Sequence, residues 1–463
     1  MNIKFNGSGF LLILMTGLFF CINAGLFTSG LWSQENQTEA ILNEVANHLA
    51  RRDFTAALEL FNTLPPEEAE KTQIRIIRAS ILNSAGRTAE AMRIANAIIA
   101  SDSNDTEAMM VLADAAAIDN RERDRRAVLD RIIRIDPAHV RALNDLGNIS
   151  IRNKNLRSAA GYFDRALVAE PNNGEALVGR AAVHRYNGEM RNAERLLNRA
   201  VNLYPDWARP LHERARLYMG SVYYGDALDD LNAAVALEPD NYWMLVDRGV
   251  VLMEVNRKEE ALASFNRAIS IAPNIFMAYV YSAGIKDEFG DYEGAERDYT
   301  ILARLNPEYY FAFEAIGVIK MRNKQWAQAR DAFLEAYKQA PREYSYAILA
   351  AINWMRAGRQ TDPKQFLSQV LRTAPRDSLE FAMLRLFHDL SGDTDIIRRV
   401  ETEVNNYTKS RMLFYLASFY DIRGNKTLAD RYYLMIRALD APASIEWRLN
   451  EIILKERGLV PER

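Results

Sequence analysis

Small, alanine and large apolar positions recur along this chain at a fixed interval of 34 residues. The three sets are small residues at Gly147, Ala181, Ala215, Gly249, Ala283, Gly317 and Ala351, alanines at Ala159, Ala193, Ala227, Ala261, Ala295 and Ala329, and large apolar residues at Phe163, Leu197, Leu231, Phe265, Tyr299 and Phe333. Ala261, Phe265 and Ala268 are four and three residues apart, which is the spacing of one helix face. The pattern therefore predicts short helices, two in each period.

Prolines and glycines divide the periods. Prolines recur at the same interval, at Pro137, Pro171, Pro205, Pro239, Pro273, Pro307, Pro341 and Pro375. Because proline lacks a backbone N–H, the phased prolines mark the end of each second helix. Gly188, Gly290 and Gly358 fall in the middle of a period, where a glycine stops the first helix.

These residues resemble the tetratricopeptide repeat family. The segment from Leu143 to Gly147, followed by Ala159, Phe163, Ala166 and Pro171, is similar to the family consensus. The resemblance implies an all-α fold, a right-handed superhelical α-solenoid of antiparallel helix pairs. It also implies a concave groove, lined by the first helix of each pair, that binds protein segments.

The repeat phase suggests a division of the chain. We expect eight phased repeats over residues 106–375, two degenerate repeats over 38–104, degenerate helical repeats over 376–442, and a C-terminal capping helix with its tail over 443–463. Pro363 occupies an alanine place, which predicts a late start of that second helix. A terminal helix must cover the last exposed core face of a solenoid.

The expected capping helix begins after Ser444. Its apolar stripe is Ile445, Leu449 and Ile452, with polar residues Glu446, Arg448 and Glu451 between them. The alternative is a free amphipathic helix that docks a partner.

Residues 1–33 indicate membrane targeting. Phe10 to Phe27 is almost wholly apolar, and no charge occurs between Lys4 and Glu35. The small residue Ala24 suits cleavage of a signal peptide. A retained anchor, or a lipid on Cys21, are alternatives. We expect an exported protein, periplasmic or associated with the cell envelope.

Composition and motifs argue against several functions. Lys+Arg 58 balance Asp+Glu 61, so we expect no nucleic-acid binding and membrane contact only through the N-terminal segment. The single cysteine and five scattered histidines predict no metal site. Since no catalytic motif occurs, we expect no enzyme activity and no cofactor.

The repeat phase also predicts which side chains line the groove. The repeats before residue 240 place basic and amide side chains there, and the later repeats place apolar ones. The predicted binding residues are Arg141, Asn144, Asn148, Arg185, Arg209, His212, Arg216, Trp243, Val246, Met253, Met277, Phe311, Met321 and Met355. An exposed apolar strip typically marks a binding surface.

The sequence therefore predicts a scaffold that holds other proteins or peptide segments. The expected ligand has apolar anchors and some acidic character. The alternative is an envelope- or host-facing structural or adhesive protein that uses its convex surface. The oligomeric state stays open.

Overall fold

The computed structural model describes residues 32–358, 362–439, 441–442 and 444–460, without the side chains of 32–37 and 362. The predicted targeting segment lies outside these residues, apart from its last two. The described residues form helices and connecting turns, with no strand among them. No helix of the described part is long and apolar enough to span a membrane.

The helices follow one another with short connections. Their bounds are α1 Trp32–Ala50, α2 Phe54–Leu60, a 3-10 turn Phe61–Thr63, α3 Pro66–Ala69, α4 Thr72–Ser84, α5 Thr88–Ser101, α6 Thr106–Ile118, α7 Glu122–Ile135, α8 Val140–Arg152, α9 Leu156–Ala169, α10 Gly174–Tyr186, α11 Met190–Leu203, α12 Ala208–Gly220, α13 Tyr224–Leu237, α14 Tyr242–Glu254, α15 Lys258–Ile271, α16 Met277–Glu288, α17 Tyr292–Leu305, α18 Tyr310–Arg322, α19 Trp326–Gln339, α20 Tyr344–Arg356, α21 Asp362–Val370, α22 Leu379–Asp389, α23 Asp393–Glu401, α24 Asn406–Ile422, α25 Lys426–Arg437 and α26 Ile445–Glu456.

The chain divides into two compact bodies. The N-terminal body extends to Val222, and the C-terminal body starts at Tyr223. In the N-terminal body, α8 packs against α9 and α9 against α10. In the C-terminal body, α18 packs against α19 and α19 against α20 in the same way. Each body is thus a stack of adjacent helices, which confirms the predicted all-α solenoid class.

Local signals start the first helices. The side chains of Asp105, Asn173 and Asn241 accept hydrogen bonds from the backbone N–H groups of residues 108, 176 and 244, at 2.8, 3.0 and 3.3 Å. An acceptor at this place satisfies one of the N–H groups that a helix start leaves without an intrahelical partner. The first helices therefore begin in register with the sequence repeat.

Large aromatic side chains form the core between first and second helices. Phe163, Phe265 and Phe333 are fully buried. The alanines of the same repeats are buried beside them, for example Ala159 and Ala166 next to Phe163. Small residues let the helix backbones approach, and the ring fills the remaining space.

The last phased second helix is short. Helix α21 is described from Asp362 and spans nine residues, whereas α15, α17 and α19 span 14. Pro363 lies in its first turn, where the missing N–H leaves no hydrogen bond unmade. Since residues 359–361 lie outside the described part of the chain, the late start of this helix stays a prediction.

Candidate protein-binding faces

Arginines of the N-terminal body that were predicted to line the groove form ion pairs between neighbouring repeats. Arg141 on α8 lies 2.7 Å from a carboxylate oxygen of Asp114 on α6. Arg185 on α10 lies 3.4 Å from Glu213 on α12, and Arg216 lies 3.8 Å from the same carboxylate group.

Arg209, at the start of α12, pairs with Glu175 at the start of α10. The two residues are separated by one repeat. Arg185 also stacks over the ring of Tyr186, with 4.7 Å between the guanidinium carbon and the ring centroid.

These pairs correct one part of the sequence interpretation. A basic lining was expected because the equivalent places hold arginines. The carboxylates of Asp114, Glu175 and Glu213 lie on the first helices of neighbouring repeats. They neutralise the charges of these arginines. Charge complementarity to an acidic ligand therefore has little support in this body.

Two further predicted residues of this body are buried. Asn144 donates from Nδ2 to Oδ1 of Asn173 at 2.9 Å, and Asn173 caps α10. His212 is also buried, and Asn148 is half-buried. Asn144 thus supports the next repeat, which the repeat phase did not reveal.

Burial raises the pKa of Asp114 to about 6, against the opposing effect of Arg141. The carboxyl group lies among α6 and α8 side chains with only 12% of its side chain exposed. Removal from water disfavours the charged form of a carboxyl group.

The apolar places of the C-terminal body fall into three groups. Trp243 and Phe311 are 38% and 48% exposed. Met253 and Met277 are half-buried. Val246, Met321 and Met355 are buried, so the prediction of one continuous exposed strip is wrong for these three residues.

Neighbouring rings orient the two exposed aromatic side chains. Trp243 meets the ring of Tyr242 edge-on, with 5.0 Å between the centroids. Tyr242 is itself buried, and its hydroxyl oxygen accepts a hydrogen bond from the Ala278 N–H at 3.1 Å. Phe311 lies 4.2 Å from the ring of Tyr310. Trp243 and Phe311 are thus partly exposed on first helices, and each is held in place by contact with a neighbouring tyrosine ring.

Helix α26 contributes to the same apolar cluster as two of these buried methionines. Leu449 and Leu454 of α26 belong to one buried apolar cluster with Val318 and Met321 of α18 and with Met355 of α20. The helix contacts α18 directly, in addition to its chain neighbours α24 and α25. The sequence interpretation did not include this contact, because a repeat pattern shows only which residues are equivalent.

Two ion pairs join α26 to earlier helices. Arg448 lies 2.6 Å from Asp287 at the end of α16, 161 residues earlier. Lys324, just after α18, lies 3.3 Å from Glu456 at the end of α26. The predicted start at Ser444 agrees with the structure, since its side chain accepts from the Trp447 N–H.

The buried face of α26 includes Leu449 of the predicted stripe, whereas Ile445 and Ile452 are half-buried. Glu446, expected to be polar and solvated, is buried, as is Asn450. Glu446 accepts from the hydroxyl of buried Tyr415 and lies 3.6 Å from Arg411. The residues on α24 that receive this carboxylate could not be found from the local pattern of α26.

Burial also affects the neighbouring carboxyl group on α18. Burial raises the pKa of Glu314, whereas a hydrogen bond from the Tyr346 hydroxyl opposes the shift. The carboxylate of Glu446 adds to the rise.

The described residues contain no group of three or more His, Cys, Asp or Glu arranged to hold a metal.

The stacked helix pairs with a 34-residue period define a helical-repeat protein. The tetratricopeptide repeat model matches residues 123–174, 144–208, 212–274 and 286–344. The chain thus contains tetratricopeptide repeats over these residues. Such repeats mediate protein–protein interactions, so the chain is an interaction scaffold.

Several solved structures are similar in fold. The structure from the functional characterisation of Pseudomonas aeruginosa pilF is 18% identical, with 44% of this chain and 93% of that chain covered and a TM-score of 0.41. YrrB, a TPR protein with an unusual peptide-binding site, is 19% identical, with coverages of 42% and 97% and a TM-score of 0.37. The Cut9–Hcn1 hetero-tetramer structure is 14% identical, with coverages of 75% and 69% and a TM-score of 0.49. A comparison with curated protein sequences finds no match.

Proposed function

We propose that the scaffold binds an extended or helical protein segment along the first helices α14, α16 and α18 of the C-terminal body. The observation that carries this proposal is the exposure of Trp243 and Phe311 at equivalent places two repeats apart. Met277 occupies the place between them and is half-buried. Three successive repeats thus offer one apolar anchor each.

The chemistry of these side chains suits recognition. A large aromatic ring on a solvated helix face contributes little to folding, whereas buried aromatic anchors often dominate binding free energies. Methionine adapts its shape to different ligand side chains. The proposed ligand carries one apolar side chain for each of the three repeats. No acidic side chains are required of it.

Export is the second part of the proposal. The apolar run from Phe10 to Phe27 and the absence of charge between Lys4 and Glu35 support translocation of the repeats across a membrane. A topology reporter fused after Glu35 should be active only outside the cytoplasm. Activity of a cytoplasm-only reporter at this position would argue against export.

The test of the binding face uses two alanine substitutions. A partner is first isolated with the chain of residues 34–463 and verified with the purified components. Trp243→Ala and Phe311→Ala should each weaken its binding by more than about 1 kcal/mol, or roughly fivefold, which is the usual threshold of an energetic hot spot. Thermal unfolding should stay nearly unchanged, because both side chains are exposed.

Leu434→Ala is the matched control. Leu434 is 44% exposed, like the two aromatic residues, but lies on the second helix α25. Its removal should leave binding intact. Unchanged affinity for both aromatic variants, with a loss for Leu434→Ala, would instead favour the second-helix surface.

A further inference from the structure

Helix α26 makes contacts that a capping helix does not need. In a solenoid each repeat contacts only its neighbours. Helix α26 contacts α24 and α25, as expected, but also α18. Its Arg448 reaches Asp287 on α16. The helix therefore covers first helices that are several pairs earlier in the chain.

The covered surface has a definite chemistry. Met321 of α18 and Met355 of α20 belong to the same buried apolar cluster as Leu449 and Leu454 of α26, and α18 contacts α26 directly. Arg411, with 13% of its side chain exposed, faces the carboxylate of Glu446 at 3.6 Å. The surface thus combines an apolar floor with one cationic position.

The fit of α26 to this surface is incomplete. Both side-chain amide atoms of Asn450, the Oε2 atom of Glu446 and the Nε1 atom of Trp447 are buried without a hydrogen-bond partner among the described residues. A buried polar group that forms no hydrogen bond opposes docking, because it has lost its water. The two ion pairs at the ends of α26 involve partly exposed side chains, which contribute little.

We propose that the surface of α18, α20 and α24 is a binding site for an amphipathic helix of a partner protein, and that α26 occupies it within the same chain until the partner replaces it. The ligand helix carries a carboxylate at a first position and leucine-like residues three and eight positions later, as Glu446, Leu449 and Leu454 do in α26. The carboxylate pairs with Arg411, and the apolar residues pack on Met321 and Met355.

This inference rests on the proposed function, since it assumes that first-helix faces bind protein segments. The site shares α18 with the face proposed above, but Trp243 lies on α14 and is not among the residues that the site uses. A chain that carries Trp243→Ala should therefore bind an α26-like helix unchanged, and the failure of one proposal can be told from the failure of the other.

The first experiment uses a fluorescent peptide of residues 444–458 as the probe. It is titrated into the full chain and into the full chain with Leu449→Asp, which places a charge in the buried face of α26 and leaves the site itself intact. Peptide binding should be at least about tenfold tighter to the Leu449→Asp chain, because a larger fraction of molecules has the site open. Equal and negligible binding to both chains would overturn the proposal.

Two controls test the recognition itself. A peptide with Glu446→Gln should bind the Leu449→Asp chain at least about fivefold more weakly, because it lacks the charge that faces Arg411. A peptide with Arg448→Ala, which changes a side chain that is 45% exposed, should bind within about twofold of the unaltered peptide. Identical affinities of the unaltered peptide and the Glu446→Gln peptide would show that Arg411 does not contribute to binding.

The second experiment needs no substitution in the chain, so it holds even if Leu449→Asp disturbs folding. Excess unaltered peptide should speed hydrogen exchange in α26, while α18 and α24 stay protected. Unchanged exchange in α26 would show that it is a fixed cap and would overturn the proposal. A dimer of the unaltered chain that dissociates on addition of the peptide would also overturn it, since the ligand would then be a second copy of α26.

Discussion

At the residue scale, each of two core phenylalanine rings occupies the space beside a glycine that has no side chain. A Cβ atom added to Gly249 would lie 2.6 Å from the ring of Phe265, and one added to Gly317 would lie 2.7 Å from the ring of Phe333. Where the ring is replaced by leucine, as at Leu231, the residue 16 positions earlier is Ala215. In these three repeats glycine accompanies the phenylalanine ring and alanine the smaller leucine, whereas Tyr299 is accompanied by Ala283.

Gly249→Ala should destabilise the C-terminal body by about 1–3 kcal/mol, as overpacking of a filled core does. The double variant Gly249→Ala, Phe265→Leu reproduces the pair found at Ala215 and Leu231. It should lose less stability than the sum of the single variants in urea unfolding. Strict additivity would show that the two places do not share the space.

Asp114 gives a pH prediction. Its folded-state pKa of about 6 lies above the ordinary value, so between about pH 4 and pH 6 the folded chain binds more protons than the unfolded chain. The protonated carboxyl group of Asp114 adds to the free energy of unfolding. This contribution is complete below the ordinary pKa and is lost as the pH rises through 6. A shift of roughly two pKa units corresponds to about 3 kcal/mol.

The check compares urea unfolding of the unaltered chain and Asp114→Asn from pH 4 to pH 7. The asparagine is neutral at every pH, so the variant should lack this fall in the free energy of unfolding. Only the slopes are compared, because the variant also loses the ion pair with Arg141. Parallel slopes would mean that Asp114 titrates normally.

The sequence shows which residues are equivalent but not which carboxylate an arginine meets. Arg141 and Asp114 are 27 residues apart, whereas Arg209 and Glu175 are 34 apart. The same type of contact thus has no fixed separation. This explains why the basic lining was predicted from the arginines alone.

At the element scale, the turn after each first helix has a fixed backbone conformation. Positive φ angles recur at Arg52, Gly86, Asn120, Lys154, Gly188, Val222, Asn256, Gly290, Lys324 and Gly358, each 34 residues from the next. The series continues at Leu390, Gly424 and Gly458 after a shift of two, with Leu390 at the end of α22. A residue with positive φ ends a helix by satisfying its last carbonyl groups. The phase therefore extends well beyond the repeats with a clear consensus.

Val222 is the least suited residue of this series. Its φ is 65°, and a β-branched side chain disfavours the left-handed region. Since 67% of Val222 is exposed, glycine there loses little packing. Val222→Gly should raise the free energy of unfolding by about 1 kcal/mol, after the greater flexibility of glycine in the unfolded chain is subtracted.

Asn256→Gly is the control for this substitution. Asparagine tolerates the left-handed region, so the effect there should be close to zero. Urea unfolding of the two variants side by side measures the difference. A loss of stability in Val222→Gly would show that the side chain contributes packing that outweighs the backbone strain.

The sequence predicts the helices well, since proline, asparagine and glycine signals act within one or two turns. It predicts the position of α26 but not its buried face. Glu446 was placed among the polar residues outside the apolar stripe, whereas it is buried against Arg411 and Tyr415 of α24. Met321 and Met355, which the repeat phase placed on an exposed strip, are buried in one large apolar cluster with residues of α26. Contacts between repeats that are not neighbours leave no periodic signal.

At the scale of the whole molecule, the two bodies differ in which helices pack against each other. In the N-terminal body, α9 packs against its chain neighbours α8 and α10. In the C-terminal body, α26 joins α24 and α25 to α18. A nearest-neighbour stack transmits a disturbance by one repeat. A stack with such an additional contact transmits it further.

Two matched substitutions test this difference. Phe163→Ala and Phe333→Ala remove fully buried rings from equivalent places of the two bodies, and each should cost about 3–5 kcal/mol locally. After Phe163→Ala, hydrogen exchange should rise in α8, α9 and α10 and remain slow in α4 and α5. After Phe333→Ala, the rise should include α26 as well as α18, α19 and α20, because α26 packs on α18. Confinement of the second effect to α18–α20 would show that the contact with α26 carries no coupling, and a rise throughout the chain after either substitution would contradict local stability.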